Sequence, residues 1–279
     1  MHKDPCFDLS QIRLFLHEDL GDGDLTSDIV SIDLQAKATV IARETAVLCG
    51  TQWFSGVFQL LDPVCQVRWN FTDGKTVGAG AKLCSVQGTA RALLSGERTA
   101  LNWLQTLSAT ATRSRAFADA VQGTGARVLD TRKTLPGLRQ AQKYAVRCGG
   151  CTNHRMGLYD GILIKENHIF AAGSIQNAVR SVRALHAGVA VEVEVESLAE
   201  LEQALDARVK RVLLDNFDLD GLRQAVAVNR GRAQLEASGN VSLENVRQIA
   251  ETGVDFVAVG SLTKDIRAID LSMNIELVK

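Results

Sequence analysis

Arg132, Lys133, His154, Arg155 and Lys165 stand within residues 132–165 of a chain whose formal net charge is −1. All five are or can be cationic. A near-neutral protein that gathers positive charge in one stretch is expected to build a pocket for a polyanion. Nucleic-acid or membrane binding would call for an unfocused basic surface. The arginine fork matches carboxylate and phosphate oxygens, whereas lysine brings a mobile point charge. The mixture suits a ligand carrying both kinds of anion. Any one of these residues alone would read as a solvated surface charge.

Two further sets could share that ligand. Glu194 and Asp215 can hold a hydrated magnesium ion or ribose hydroxyls, since magnesium keeps waters and takes one or two carboxylates plus substrate phosphates. Ser238-Gly239 and Gly260-Ser261 can offer backbone N–H groups to a phosphate with no Cβ in the way. Glu192, Glu194 and Glu196 alternate along one strand. That face could merely be the wetter one, but inside a parallel sheet at least one is expected to be buried as a functional carboxylate. No nucleophilic triad is visible in the pattern. Ser-Gly-Asn at 238–240 is not a nucleophile elbow, and His154 and His168 have no evident Ser or Cys partner. The expected reaction needs no activated side chain.

These residues require a scaffold that brings distant segments to one face. From 126 onward strand and helix patterns alternate. Candidate strands are 126–131, 161–165, 190–195, 211–215, 233–238 and 256–260, with helical patterns at 174–186, 197–205, 218–228 and 243–252. The last three strand ends, 215, 238 and 260, recur every 22 or 23 residues. Such short units imply a parallel sheet and favour a closed or nearly closed barrel. Six strands are fewer than eight, so the barrel is incomplete or one strand hides between 146 and 160. In these barrels chemistry belongs at the C-terminal strand ends. Those ends read Thr131-Arg132-Lys133, Lys165-Glu166-Asn167, Glu194, Asp215-Asn216, Ser238-Gly239-Asn240 and Gly260-Ser261, all polar or glycine. A ligand site is expected on that face, with phosphate at the final strands.

The first part of the chain has a different grammar. Residues 1–20 read as an amphipathic helix, with Ile12, Leu14, Phe15 and Leu16 supplying apolar contacts. Residues 18–28 form an acidic, Gly-broken loop, and about 37–90 reads as short β-strands. Residues 95–121 read as helix, with Ser95 as N-cap. Arg98 then lies near a helix start, where a cation opposes the helix dipole, which hints at an anionic partner.

Composition narrows the classes. The 279 residues are 46% hydrophobic and 23% charged, enough for one large core or two smaller ones. Lys plus Arg (31) nearly balances Asp plus Glu (32), which argues against a nucleic-acid-coating or polybasic membrane role. No apolar run approaches the ~20 residues of a bilayer span. The acidic, amphipathic start shows no signal-peptide core, so a cytoplasmic location is expected. Six cysteines make no disulfide framework. Cys148 and Cys151 form a single CxxC without the second pair or nearby histidines a zinc site would want. They are expected to be reduced thiols beside a helix end at Gly149-Gly150.

Seven segments together resemble one family: ERTALN (97–102), DTRKTLPGLR (130–139), NHRMGLYDGILIKENHI (153–169), EVEVES (192–197), LLDNF (213–217), ASGN (237–240) and VAVGSLT (257–263). They are similar to quinolinate phosphoribosyltransferase, the carboxylating nicotinate-nucleotide pyrophosphorylase. The likeness runs from EDLGDGDLTSD to AIDLSMNI, essentially the whole chain. It implies an α/β fold: an N-terminal open α/β sandwich domain over 1–110, joined by 266–279, and an incomplete α/β barrel over 111–265. It implies a pentosyltransferase that moves the phosphoribosyl group of phosphoribosyl pyrophosphate to quinolinate, releasing pyrophosphate and carbon dioxide, in NAD biosynthesis. It also implies magnesium and a homodimer or an assembly of dimers.

By motif, Arg132, His154 and Arg155 would meet the quinolinate carboxylates. Lys133 and Lys165 would meet the phosphoribosyl donor or the reacting centre. Glu194 and Asp215 would serve as the magnesium and ribose carboxylates, and Ser238, Gly239, Gly260 and Ser261 as phosphate positions. Arg98 would enter the neighbouring subunit's site. Two positions depart from the pattern: Ala109, where the family usually has Gly, and Lys264, which is His in some members. Lys264 leaves its phosphate contact open.

Three other readings compete. A molybdate-operon paralogue generally lacks the lysine of LIKENH and departs from ERTALN, and this chain keeps both. A barrel aldolase would use Lys165 or Lys133 as a Schiff-base lysine, which borohydride trapping would reveal. A barrel that only binds phosphorylated ligands leaves Glu194 and Asp215 without a task.

Overall fold

A computed structural model describes residues 7–278. The helix expected over 1–20 is α1 (Leu9–Leu20), capped by the Asp8 side chain, which accepts from Ser10 N–H. Residues 1–6 of that expectation, Cys6 among them, lie outside the described residues. Ile12 and Leu16 are buried, whereas Leu14 is 66% exposed because it falls on the opposite side of the helix. Next come β1 (Gln35–Ala42), β2 (Ala46–Val47), α2 (Thr51–Leu61), β3 (Gln66–Trp69), β4 (Thr76–Val77) and β5 (Lys82–Thr89). α2 corrects the all-β reading of 37–90. Its aromatic and β-branched residues suit strands locally, yet Trp53, Phe54, Val57 and Phe58 bury one helical face completely.

Strand β5 runs straight into α3 (Ala90–Ala120). Ser95 is therefore no N-cap. Thr89 takes that place, its Oγ1 accepting from Ala92 N–H at 3.4 Å. Ser95 instead donates its hydroxyl to Asp24 Oδ2 at 2.7 Å. Arg98 sits eight residues into the helix, beyond the first turn where the dipole is felt, so the dipole argument for it falls.

The remaining elements are β6 (Arg127–Leu129), α4 (Arg139–Cys148), β7 (Ile162–Ile164), α5 (Glu166–Ala172), α6 (Ile175–Leu185), β8 (Val191–Val195), α7 (Leu198–Asp206), β9 (Arg211–Asp215), α8 (Leu219–Asn229), β10 (Gln234–Ser238), α9 (Val246–Ala250), β11 (Phe256–Ala258), α10 (Ser261–Lys264) and β12 (Leu271–Val278). All six expected strands from 126 onward are present.

The chain divides into two compact units. The first holds residues up to Arg115 with Gln140–Gly150 and the segment from Asp265 onward. Its antiparallel sheet has the order β12-β1-β5-β3. The C-terminal strand β12 pairs with all of β1, from Gln35↔Val278 to Ala42↔Leu271. Ala36, Ala38, Val40 and Ala42 turn alternately into the core, the period expected of a half-buried strand.

The second unit, Ala116–Arg139 with Cys151–Lys264, carries a six-stranded parallel sheet ordered β6-β11-β10-β9-β8-β7. β6 and β7 form its edges and do not pair, so the barrel is incomplete. The alternative of a strand hidden between 146 and 160 reduces to one parallel bridge, Leu129↔Thr152. Side-chain caps start the connecting helices: Ser174 for α6, Ser197 for α7 and Asp218 for α8. No described helix is long and apolar enough to cross a membrane.

Candidate active site

Alternation along parallel strands sends every second residue to one face. In the second unit that face lines a cavity of about 400 Å³ bounded by Thr131, Arg132, Lys133, His154, Arg155, Lys165, Glu194, Asp215 and Ser238, with Glu236 at its base. Cavities of this size suit small-molecule ligands. Eight sequence-predicted residues thus share one space: Arg132, Lys133, His154, Arg155, Lys165, Glu194, Asp215 and Ser238. Gly239, Gly260 and Ser261 follow β10 and β11 without lining the cavity. Arg98 is exposed on α3 in the first unit and does not line it either.

Local bonds explain how these side chains are held. Lys133 N–H donates to Thr131 Oγ1 at 3.0 Å, and the Lys133 carbonyl accepts from Thr263 Oγ1 at 2.8 Å. Gly260 passes so close that a Cβ there would lie 3.0 Å from Lys133 Cδ. Arg139 ties the same loop together, reaching Thr134 Oγ1, the Met156 carbonyl and the Arg132 carbonyl. Lys165 precedes α5, its N–H donating to His168 Nδ1 at 3.0 Å, and its ammonium pairs with Glu194. Asp215 Oδ2 accepts from Asn216 Nδ2 at 2.8 Å. Gly239 has φ +104, and a Cβ there would fall 2.2 Å from Asn216 Oδ1, so only glycine fits. Ser261 Oγ is buried with no hydrogen-bond partner, a donor that suits an oxyanion.

Beneath the cavity lies a charged floor: His154 and one buried glutamate of the Glu192–Glu196 alternation, here Glu192, were expected, whereas Arg211 and Glu236 were not. His154 Nε2 is 3.0 Å from Glu192 Oε2 and 3.6 Å from Glu236 Oε2. Arg211 pairs with both acids: its Nε is 3.2 Å from Glu192 Oε1, and its Nη2 bonds Glu236. The Arg211 guanidinium also lies 4.3 Å from the Phe256 ring centre. His154 Nδ1 accepts from Arg155 N–H at 2.7 Å, and the His154 backbone N–H donates to the buried Asp130 at 2.9 Å. Both ring nitrogens are thus engaged. Charges inside apolar parallel strands, Arg211 in RVLLD and Glu236 in QLEAS, were the available signal.

Burial, then the charge of Glu192, pushes the Glu236 carboxyl up to about 7. Burial also works to raise Glu192, but the His154 hydrogen bond and Arg211 outweigh it and hold that carboxyl below its ordinary value. Burial, then neighbouring Arg132, lowers Arg155. A carboxyl raised in the fold stabilises it fully below the unfolded value of 4.5 and loses that contribution as pH rises through about 7. Urea unfolding from pH 5 to 8 should therefore show a decline that Glu236→Gln flattens. An identical pH slope in both proteins would contradict the assignment.

Two oxygen-rich groups could hold a cation. His154, Glu192 and Glu236 present ligand atoms within 4.8 Å of one another, but Arg211 already supplies their positive charge. Glu194, which Lys165 pairs through one oxygen, and Asp215 leave neighbouring strands β8 and β9 toward the open cavity and offer hard oxygen donors. That set fits a magnesium ion which keeps most of its waters.

An open parallel barrel with a cationic wall, two carboxylates and glycine-rich loops after its last strands defines a barrel protein for phosphorylated, anionic substrates. The family described as "Quinolinate phosphoribosyl transferase, C-terminal domain" matches residues 110–274, and "Quinolinate phosphoribosyl transferase, N-terminal domain" matches 24–108. The chain belongs to the quinolinate phosphoribosyltransferase family. It is 39% identical to quinolinate phosphoribosyltransferase (decarboxylating) 1b of Nicotiana tabacum, over 98% of this chain and 83% of that protein. It is 39% identical to the probable nicotinate-nucleotide pyrophosphorylase (carboxylating) of Synechocystis sp., over 95% and 91%. The solved nicotinate-nucleotide pyrophosphorylase from Francisella tularensis superposes with a TM-score of 0.94 at 43% identity, covering 99% of this chain and all of that one.

Proposed function

We infer that the chain transfers the phosphoribosyl group of phosphoribosyl pyrophosphate to quinolinate and decarboxylates the product to nicotinate mononucleotide, a step of NAD biosynthesis. The observation that carries this is the one cavity where Arg132, Lys133, Arg155 and Lys165 face Glu194 and Asp215. Two ring carboxylates, a phosphate and a pyrophosphate need such a wall. Incubation with quinolinate, the donor and magnesium should yield nicotinate mononucleotide, and no product from folded protein would defeat the reading.

The pyridine nitrogen attacks the ribose anomeric carbon with its own lone pair as the bond to pyrophosphate breaks. No side chain has to take a proton, which agrees with a cavity histidine whose nitrogens are both occupied. Help is needed with leaving-group charge and an oxocarbenium-like ribose, a matter of positioning and electrostatics. The carbon–carboxylate bond then breaks, and the electron pair left on the ring is stabilised by the quaternised nitrogen before that carbon takes a proton.

In this reading Arg132 and Arg155 hold the ring carboxylates, and His154 fixes Arg155 through its backbone N–H. Lys133 and Lys165 face the donor and the reacting centre. Ser238, Gly239, Gly260 and Ser261 border the phosphate. Glu194 and Asp215 would hold magnesium, whose charge would offset that of the donor's pyrophosphate. The chain is expected to act as a cytoplasmic homodimer.

Arg98 is proposed to enter the partner subunit's site. Its exposure on α3 leaves its charge available, and the family resemblance supplies the partner. Arg98→Ala and Lys165→Ala chains should each be inactive. Allowed to exchange subunits, they should recover roughly a quarter of the activity, since half of the dimers are mixed and each holds one intact site. No recovery despite demonstrated mixed dimers would place Arg98 in its own subunit's site or outside any site.

A further inference from the structure

A second cluster, in the first unit, is unrelated to that chemistry. Cys49, Asp73 and Cys148 present two sulfurs and a carboxylate oxygen within 4.8 Å of one another. Sequence draws attention to Cys148 and Cys151 as a CxxC, but the fold sets Cys148 against Cys49, 99 positions earlier.

The three groups come from separate elements, each fixed by backbone bonds. Cys49 stands just before Gly50, the cap of α2, its N–H donating to Ser108 Oγ at 3.0 Å and its carbonyl accepting from that hydroxyl at 3.2 Å. Asp73 lies in the turn between β3 and β4, which is tied to Leu48 by the Gly74 N–H at 2.8 Å. Its carboxylate accepts from Gly50 and Thr51 N–H at the start of α2, at 3.1 and 3.2 Å, and from Tyr144 Oη at 2.8 Å. Cys148 ends α4 and is half-buried, while Cys49 is fully buried.

We propose that Cys49, Cys148 and Asp73 form a binding site for a thiophilic divalent cation of the zinc class. Tetrahedral zinc with Zn–S bonds of about 2.3 Å needs its sulfurs roughly 3.8 Å apart, which the cluster's spacing accommodates. The start of α2 directs N–H groups at Asp73 and favours negative charge beside Cys49. Binding replaces the two thiol protons with the cation and moves no electrons; the protons go to solvent. A water supplies the fourth position.

The test is a Co²⁺ titration of the reduced full-length chain. One equivalent should give thiolate-to-cobalt charge-transfer absorption that Zn²⁺ abolishes by displacement. Cys148→Ser should lose the band, and Cys151→Ser should keep it. In the unaltered chain, Zn²⁺ should protect Cys148 from alkylation, a readout that requires no variant to fold. Absence of the band at saturating Co²⁺, or its persistence in Cys148→Ser, would overturn the site. So would a chain two hydrogens lighter with no bound metal, which would make the pair a disulfide.

Discussion

Nicotinate, which lacks the 2-carboxylate of quinolinate, should be used roughly a hundredfold less well, measured as kcat/KM. The lost carboxylate removes charge-assisted contacts worth about 1.5–3 kcal/mol each. Arg132 is exposed, so water replaces part of its loss. Arg155 is half-buried, lowered by burial and by Arg132 beside it, and a ligand anion relieves both. One such contact in full and one in part come to about 3 kcal/mol, which sets the factor. Arg132→Ala should narrow the gap by weakening quinolinate alone. Equal turnover of the two acids would remove the carboxylate role from this wall.

The largest effect on stability is expected from Arg211→Ala. Arg211 lies between Glu192 and Glu236, and the Glu236 side chain is fully buried. Removing one partner of a buried charge pair costs about 3–5 kcal/mol, and here it leaves two buried acids with His154 alone between them. That is a large share of a typical folding free energy of about 5–15 kcal/mol. The Phe256 ring also loses its cation. Adding Glu236→Gln to Arg211→Ala should restore part of the loss, since the amide needs no counterion. A urea midpoint unchanged in Arg211→Ala, or a double variant worse than the sum of the single ones, would show that the floor is not a coupled charge network.

The parts that were legible in the sequence are those set by local pattern. Apolar runs such as RVLLD and FVAVG, bracketed by polar ends, give the six parallel strands, and those ends deliver six of the expected residues to one cavity, which His154 and Arg155 join from the segment after Thr152. Misreadings came where local and tertiary preferences conflict. TQWFSGVFQLL carries strand-like residues but buries a helical face. Ser95 has the chemistry of a cap, yet ARALL before it already favours helix, and Asp24 claims its hydroxyl from 71 positions away. The pairing within the floor was hidden for a related reason. His154, Glu192, Arg211 and Glu236 meet only through sheet register, which no local window contains.

In the proposed reaction glycosyl transfer precedes and permits loss of the carboxylate, and quinolinate labelled in its 2-carboxylate reports that order. Incubated with the protein and magnesium, it should release no labelled carbon dioxide until phosphoribosyl pyrophosphate is added, and then one equivalent per nicotinate mononucleotide formed. Release without the donor, or a nucleotide that keeps the label, would contradict it.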